Sequence, residues 1–168
     1  MRPLLTILLG CALAGFSRAA PTETDAPPAA AATPNERMLL GYYAAIGGGD
    51  LADVETLQSA DFRSDAALPG TQKSRAEFLQ YLTQLRTAFP DMKIEILEWI
   101  SQGDTTVCRY RFTGTHRAKF LTLRPTRKSA TIGGIDEWKF RDGKLAELHA
   151  NFDTLGMLVQ LGLVPAIK

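Results

Sequence analysis

Cysteine and histidine are the scarcest chemistry in this 168-residue chain, with two of each: Cys11, Cys108, His116 and His149. Cys11 lies in an N-terminal apolar run, so loss of that run leaves Cys108 alone and excludes an intrachain disulfide even in an oxidising compartment. Stability then rests on packing. The histidines and carboxylates show no short ligand spacing such as His-x-x-x-His, which argues against a metal site. One-sided charge is also missing, because 19 Lys and Arg are interspersed with 18 Asp and Glu for a net charge of +1. No stretch can track a phosphate backbone, so nucleic acid is not an expected partner. The densest basic cluster, Arg117, Lys119, Arg124, Arg127 and Lys128, is broken by Phe120, Leu121, Leu123 and Pro125. It reads as a solvated loop beside a sheet rather than an anion site. There is no internal repeat and no phosphate-binding glycine loop.

Long apolar runs are scarce as well. The run Leu4 to Phe16, behind Met1-Arg2-Pro3, is short for a bilayer and reads as a signal peptide. Ser17-Arg18-Ala19 offers small residues where a signal peptidase inspects the chain, so residues 1–19 are expected to be removed near Ala19 and the protein exported. The alternatives are an uncleaved anchor, or lipidation of Cys11 in Leu8-Leu9-Gly10-Cys11, either of which would tie the domain to a membrane. Residues 20–34 are Ala, Pro and Thr with two acids and read as a flexible linker. Residues 35–168 suffice for one domain with a core and an internal cavity, and leave no room for a second domain.

Within that domain the apolar period is first helical and then alternating. Asn35 is placed to cap a helix from Glu36 to about Ile46, with Met38, Leu39, Tyr42, Tyr43 and Ile46 on one face, and Gly47-Gly48-Gly49 to end it. Asp50 caps a second helix to about Leu57, and Ser74 with Glu77 forms a capping box for a third that ends near Phe89-Pro90. Alternation then predicts strands at Met92–Gln102, Thr105–His116, Ala130–Phe140 and Lys144–Asp153, with turns at Gly103-Asp104 and Asp142-Gly143. Helices ahead of four long antiparallel strands predict an α+β fold, with the helices against one face of a strongly curved sheet. Gly114 and Gly133-Gly134 sit inside strands, where glycine marks bulges or bends. The uncovered sheet face predicts a homodimer.

Four motifs carry a resemblance. They are Thr113-Gly114-Thr115-His116, the turn Lys139-Phe140-Arg141-Asp142-Gly143-Lys144, Asp153 six residues after Glu147, and Gln160-Leu161-Gly162. From about Asn35 to Leu163 the chain resembles the SnoaL-like polyketide cyclase (ester cyclase) family. That resemblance implies a nuclear-transport-factor-two-like cone with a pocket between concave sheet and helices. It also implies that the Asp matching Asp153 serves as acid and base in an intramolecular aldol cyclisation, with no metal or organic cofactor.

The residues themselves leave several roles open. On the last strand Glu147, His149, Asn151 and Asp153 share one face and Ala146, Leu148, Ala150 and Phe152 the other, so the polar face either meets water or lines a pocket. Asp153, close to Phe152, Leu155 and Met157, could be desolvated enough to act as general acid or base, and it could also simply cap the helix at Thr154 to Leu161. His116 is the second catalytic candidate, able to donate to a substrate carbonyl or to orient Asp153, or else an ordinary polar partner. Arg109 matches an Arg of the family, but strict alternation puts it on the face opposite His116 unless a bulge near Gly114 intervenes. His149 stands where the family often has Trp, which makes that position more polar. Trp138 and Phe140 share a face with Asp136, which is therefore either an inward carboxylate among aromatics or part of an exposed face. Tyr42, Tyr43, Phe78, Tyr81 and Phe89 read mainly as core.

Candidate ligand contacts are thus His149, Arg109, Trp138, Tyr43 and Phe120. The stretch from His116 to Ala130 departs from the family, with Arg117-Ala118-Lys119-Phe120 and Pro125-Thr126-Arg127-Lys128 in place of its glycine-containing turns. Two functions follow as expectations. One is an exported, cofactor-free cyclase-type acid/base enzyme acting on a small apolar carbonyl compound. The other is a noncatalytic ligand-binding or accessory domain. Export sits badly with polyketide assembly, which needs cytoplasmic acyl donors, so a polyketide is not the expected natural substrate.

Overall fold

The computed structural model describes residues 30–66 and 74–166. The expected signal peptide, and the linker as far as residue 29, lie outside the described residues. Four helices, α1 (Pro34–Gly47), α2 (Leu51–Leu57), α3 (Arg75–Ala88) and α4 (Thr154–Gln160), pack with five strands, β1 (Gln58–Ala66), β2 (Lys93–Gln102), β3 (Thr105–Thr115), β4 (Ser129–Arg141) and β5 (Lys144–Phe152). The sheet runs β1-β5-β4-β3-β2. Its long strands pair antiparallel, and β1 runs parallel to β5 at one edge. The fold is the α+β arrangement expected, with the helices covering the concave face.

Local chemistry accounts for the element ends. Helix α1 is capped by Thr33 rather than Asn35: the Thr33 hydroxyl accepts from Glu36 N at 3.2 Å, and Glu36 Oε2 accepts from Thr33 N at 3.0 Å. Pro34 decides this, since its fixed φ suits the first helical position and moves the cap one residue ahead of it. Ser74 and Glu77 form the expected box on α3, and Asp50 caps α2. The β4–β5 turn places Asp142 at φ 51° and Gly143 at φ 69°, the pair of left-handed residues that a two-residue hairpin needs.

Strand β1 lies in the half of the chain that the sequence pattern assigns to helices. Its one large apolar residue is Phe62, fully buried, amid Gln58, Asp61, Arg63 and Asp65. An edge strand needs only one paired neighbour, and β5 supplies it, with a register shift between Gln58 and Arg63. The glycines at 114, 133 and 134 make no bulge, for β3 and β4 pair without interruption from Thr105 against Lys139 to Thr115 against Ser129. The irregularities fall instead between Ile96 and Glu98 and between Lys139 and Phe140.

Alternation along β3 is therefore unbroken. Thr106, Cys108, Tyr110, Phe112 and Gly114 face the helices, and Arg109 and Arg111 face outward, paired with Glu98 and Glu95. The same parity on β4 sends Ile132, Gly134, Asp136, Trp138 and Phe140 inward. On β5 it sends Leu148 and Ala150 inward. Among the described residues, no helix is long and apolar enough to cross a membrane.

Candidate functional site

The inward stripe of α1 meets the inward faces of β3 and β4 around one carboxyl group. Asp136 is buried, and Tyr43 Oη donates to its Oδ2 at 2.7 Å. Trp138 Nε1 donates to the same Tyr43 oxygen at 2.9 Å, and Cys108 Sγ lies 2.9 Å from it. A phenol has one proton and two lone pairs, and indole can only donate. With the Tyr43 proton committed to Asp136, Trp138 and the Cys108 thiol fill the two lone pairs. The hydrogen bonds thus run in one direction, from Trp138 and Cys108 through Tyr43 into the carboxyl.

Burial raises the pKa of Asp136 to about 7, against the smaller opposing pull of Tyr43 and then Tyr110. Tyr110 comes near enough to favour the charged form, yet Oδ1 has no hydrogen bond of acceptable geometry. Burial likewise pushes the Tyr43 phenol well above its ordinary range, with the Asp136 charge adding to it. The Cys108 thiol is pushed up to about 12 by burial and then by Asp136. Near neutral pH the only group of this network that changes protonation is the carboxyl.

Asp136 borders a cavity of about 90 Å³ between the sheet and the helices. Tyr42, Tyr43, Phe78, Tyr81, Phe120 and Met157 are among its walls, so its lining is aromatic and aliphatic apart from the carboxyl and phenol oxygens. The free space holds several water-sized groups. The Tyr42 hydroxyl is buried without a hydrogen-bond partner, the second orphaned polar atom on this wall beside Asp136 Oδ1. Buried polar groups are nearly always paired, so two orphans on one cavity wall mark a place where a polar ligand atom or water belongs.

The seven residues singled out by sequence divide around this cavity. Tyr43 and Phe120 line it. Trp138 lies behind the lining, fully buried, donating to the Tyr43 hydroxyl and packing against the Tyr42 ring. Asp153 is exposed and caps α4, its Oδ1 accepting from Gly156 N at 2.7 Å. His116 is covered but lies outside the cavity, stacked on Phe89 with ring centroids 5.2 Å apart and with Nδ1 3.4 Å from Thr126 N and Oγ1. Burial lowers its pKa. His149 is on the outer face between Asp65 and Glu147, at 3.6 and 3.8 Å. Arg109 is also on the outer face, and with Asn151 and Asp153 it borders a shallow groove.

Asp153 and His116 therefore do not converge on a common pocket. The polar face of β5 is the outward one, and the apolar face lines the cavity. Asp136 was legible only as an alternative, a carboxylate between Gly134 and Trp138 on a face that is otherwise apolar. The run Ile132, Gly134, Asp136, Trp138, Phe140 was the signal for it. Among the described residues, no group of three His, Cys, Asp or Glu side chains could hold a metal ion.

Known proteins share this architecture. The family model for SnoaL-like polyketide cyclases matches residues 36–161. AclR of Streptomyces galilaeus, provisionally assigned as a hydroxylase, is 25% identical with a TM-score of 0.70, covering 79% of this chain and 83% of that one. IdmH of Streptomyces antibioticus, provisionally assigned as a polyketide cyclase, is 28% identical with a TM-score of 0.66, covering 78% and 99% of the two chains. A Catenulispora acidiphila protein of ketosteroid isomerase-like fold, in complex with trimethylamine, is 13% identical with a TM-score of 0.64 over 74% of this chain and 92% of that one, a likeness of fold alone. No curated protein matches the chain.

The geometry at Asp153 gives a direct test of its part in the fold. Asn caps a helix as well as Asp does, and Ala does not. Asp153→Asn should leave the urea midpoint nearly unchanged, and Asp153→Ala should lower stability by about 1 kcal/mol. Equal loss in both variants would mean that the carboxylate charge, not the cap, is what matters there.

Proposed function

The chain belongs to the SnoaL-like polyketide cyclase family, and on that footing we propose that it is a cyclase-type acid/base enzyme for a small apolar carbonyl compound, with Asp136 as the acid and base. The observation that carries this reading is a buried carboxyl, poised at about pH 7, with one oxygen unpartnered on the wall of an apolar cavity. A group whose pKa matches the working pH is present in both forms, which acid and base steps in one cycle require. Ionised Asp136 would take a proton from the carbon next to a carbonyl. The enolate would attack a second carbonyl of the same molecule, forming the carbon–carbon bond. Asp136 would then return its proton to the new alkoxide, so that no atom is gained or lost. Tyr43 holds Oδ2 and leaves Oδ1 for the substrate, and the unpartnered Tyr42 hydroxyl can donate to a substrate oxygen.

Asp153 and His116, singled out by the family motifs, act in this reading through the fold, by capping α4 and by anchoring the segment that carries Phe120. The competing reading, a noncatalytic domain that holds a small ligand, is favoured by the modest cavity volume. Export through residues 1–19 belongs to the proposal and is tested by N-terminal sequencing of the mature protein. So does a homodimer through the outer sheet face, where Ile100 and Ile135 are exposed; sedimentation of the purified protein tests that.

With a diketone panel in hand, Asp136→Asn should lower turnover by about 10²- to 10⁴-fold while ligand binding persists, and Asp153→Asn should retain most activity. The reverse ranking would move the acid to Asp153. Ligand binding without any turnover in the wild type would favour the noncatalytic reading.

Asp136 also predicts a pH dependence of stability. Its folded pKa is above the unfolded value, so between about pH 4 and 7 the folded state holds the extra proton and stability falls as pH rises. The contribution is on the order of 4 kcal/mol across that window. Urea unfolding at several pH values should show this decline in the wild type and a much flatter profile in Asp136→Asn. Equal slopes would place the carboxyl's pKa back in the ordinary range.

A further inference from the structure

Tyr110 on β3 and Gly134 on β4 are direct cross-strand partners, and both face the helices. The Tyr110 ring leans over β4 into the space a side chain on residue 134 would need. A Cβ there would overlap the Tyr110 Cζ and hydroxyl and lie 2.8 Å from Cε2. On its other side the ring meets Tyr43, with centroids 6.0 Å apart. Asp136 is the next residue along that face of β4, two positions on. Its carboxyl feels the Tyr110 hydroxyl as the weaker of two phenol partners. Gly133, one residue before, is on the outer face, where a Cβ would meet nothing closer than the Tyr110 carbonyl oxygen at 4.0 Å.

We propose that Gly134 is a positioning residue for Asp136: by giving up its side-chain space to the Tyr110 ring, it brings a second phenol hydroxyl beside the carboxyl. The inference rests on Asp136 as the acid of the site and adds to it a determinant two residues away that touches no substrate. Tyr43 grips Oδ2 from α1 and Tyr110 approaches from β3, so the carboxyl on the cavity wall has two phenols beside it, with Oδ1 left unpartnered. A residue with any side chain at position 134 would turn the ring away, and Asp136 would keep Tyr43 alone.

A glycine that merely relieves crowding would affect stability without acting on Asp136 through a hydroxyl. Carboxyl-labelled NMR titration of Asp136 in the full chain separates the two roles, and it does so without any turnover assay, so its failure is distinct from failure of the acid/base reading. Tyr110→Phe keeps the ring and removes the hydroxyl. Its Asp136 should titrate about half to one pH unit higher than in the wild type, the equivalent of one net hydrogen bond. Gly134→Ala should move the titration the same way, the two changes together should do no more than the larger alone, and Gly133→Ala should leave it in place. Where Gly134→Ala proves too strained to fold, Tyr110→Ala makes the room, and adding Gly134→Ala to it should leave the Asp136 titration where Tyr110→Ala alone puts it. The proposal is overturned by an unmoved titration in Tyr110→Phe, by an unmoved one in folded Gly134→Ala, by full additivity, or by a further shift when Gly134→Ala joins Tyr110→Ala.

Discussion

The bond between the Tyr43 hydroxyl and the Asp136 carboxyl at 2.7 Å is the contact on which the interior depends. A carboxyl with almost no solvent contact has to be neutral, paired or richly hydrogen-bonded. Among the described residues two carboxyl groups are in that position, and they are treated differently. Glu36 has little exposed surface but lies close to the protein exterior; its burial is outweighed by donors from Ser101, Thr33 and Ala32, which hold its pKa below the usual carboxylate range. Asp136 has two phenols and no backbone donor, so its burial prevails. One carboxylate is saturated and serves to start a helix. The other is left with one oxygen unpartnered on a cavity wall.

That difference follows from sheet parity. Residues 132, 134, 136, 138 and 140 all face the helices, so after Ile132 β4 presents a position without a side chain, a carboxyl group and two aromatics in sequence to the α1 stripe of Leu39, Tyr42, Tyr43 and Ile46. Trp138 is fully buried and its ring meets Tyr42 edge to face at 4.6 Å, while its indole N–H is spent on Tyr43. The tryptophan thus packs against one tyrosine and orients the other. A hydroxyl that accepts from Trp138 and Cys108 has its proton directed to Asp136 alone, which gives the acid a fixed partner rather than a rotating one.

Much of the fold was legible because it rests on strong local signals: two capping residues, a Gly-rich helix end, a left-handed turn and long alternating strands. Strand β1 was not, because its place comes from pairing with β5 and one buried phenylalanine, and neither leaves a period in the sequence. The site divides the same way. Tyr43 and Phe120 were legible as aromatics that could reach a cavity. Asp136 was visible only as a choice between inward acid and exposed face, since parity fixes which residues share a side but not which side the helices cover. Asp153 drew attention through its motif, and the motif's chemistry is satisfied by the cap: Gly156 donates to Asp153 Oδ1, and any Cβ on residue 156 would collide with the capping carboxylate.

A cap can still govern a cavity that it does not touch. Asp153 starts α4, whose Met157 is buried on the cavity wall and which Leu161, buried in the same core, follows. His116 holds its segment in a comparable way, by stacking on Phe89, while Phe89 also meets the edge of Phe120 at 5.7 Å and Phe120 forms part of the wall. Backbone bonds from His116 N to Lys128 O and from Arg127 N to His116 O close that segment into a strap. Arg127 takes a φ of 61° within it, in the left-handed region that favours glycine. The strap can thus hold a residue other than glycine at that position, its course fixed by two backbone bonds and a buried ring. Thr115-His116 and Asp153 then support the cavity wall from two sides, and the buried carboxyl of Asp136 belongs to the strand between them in sequence.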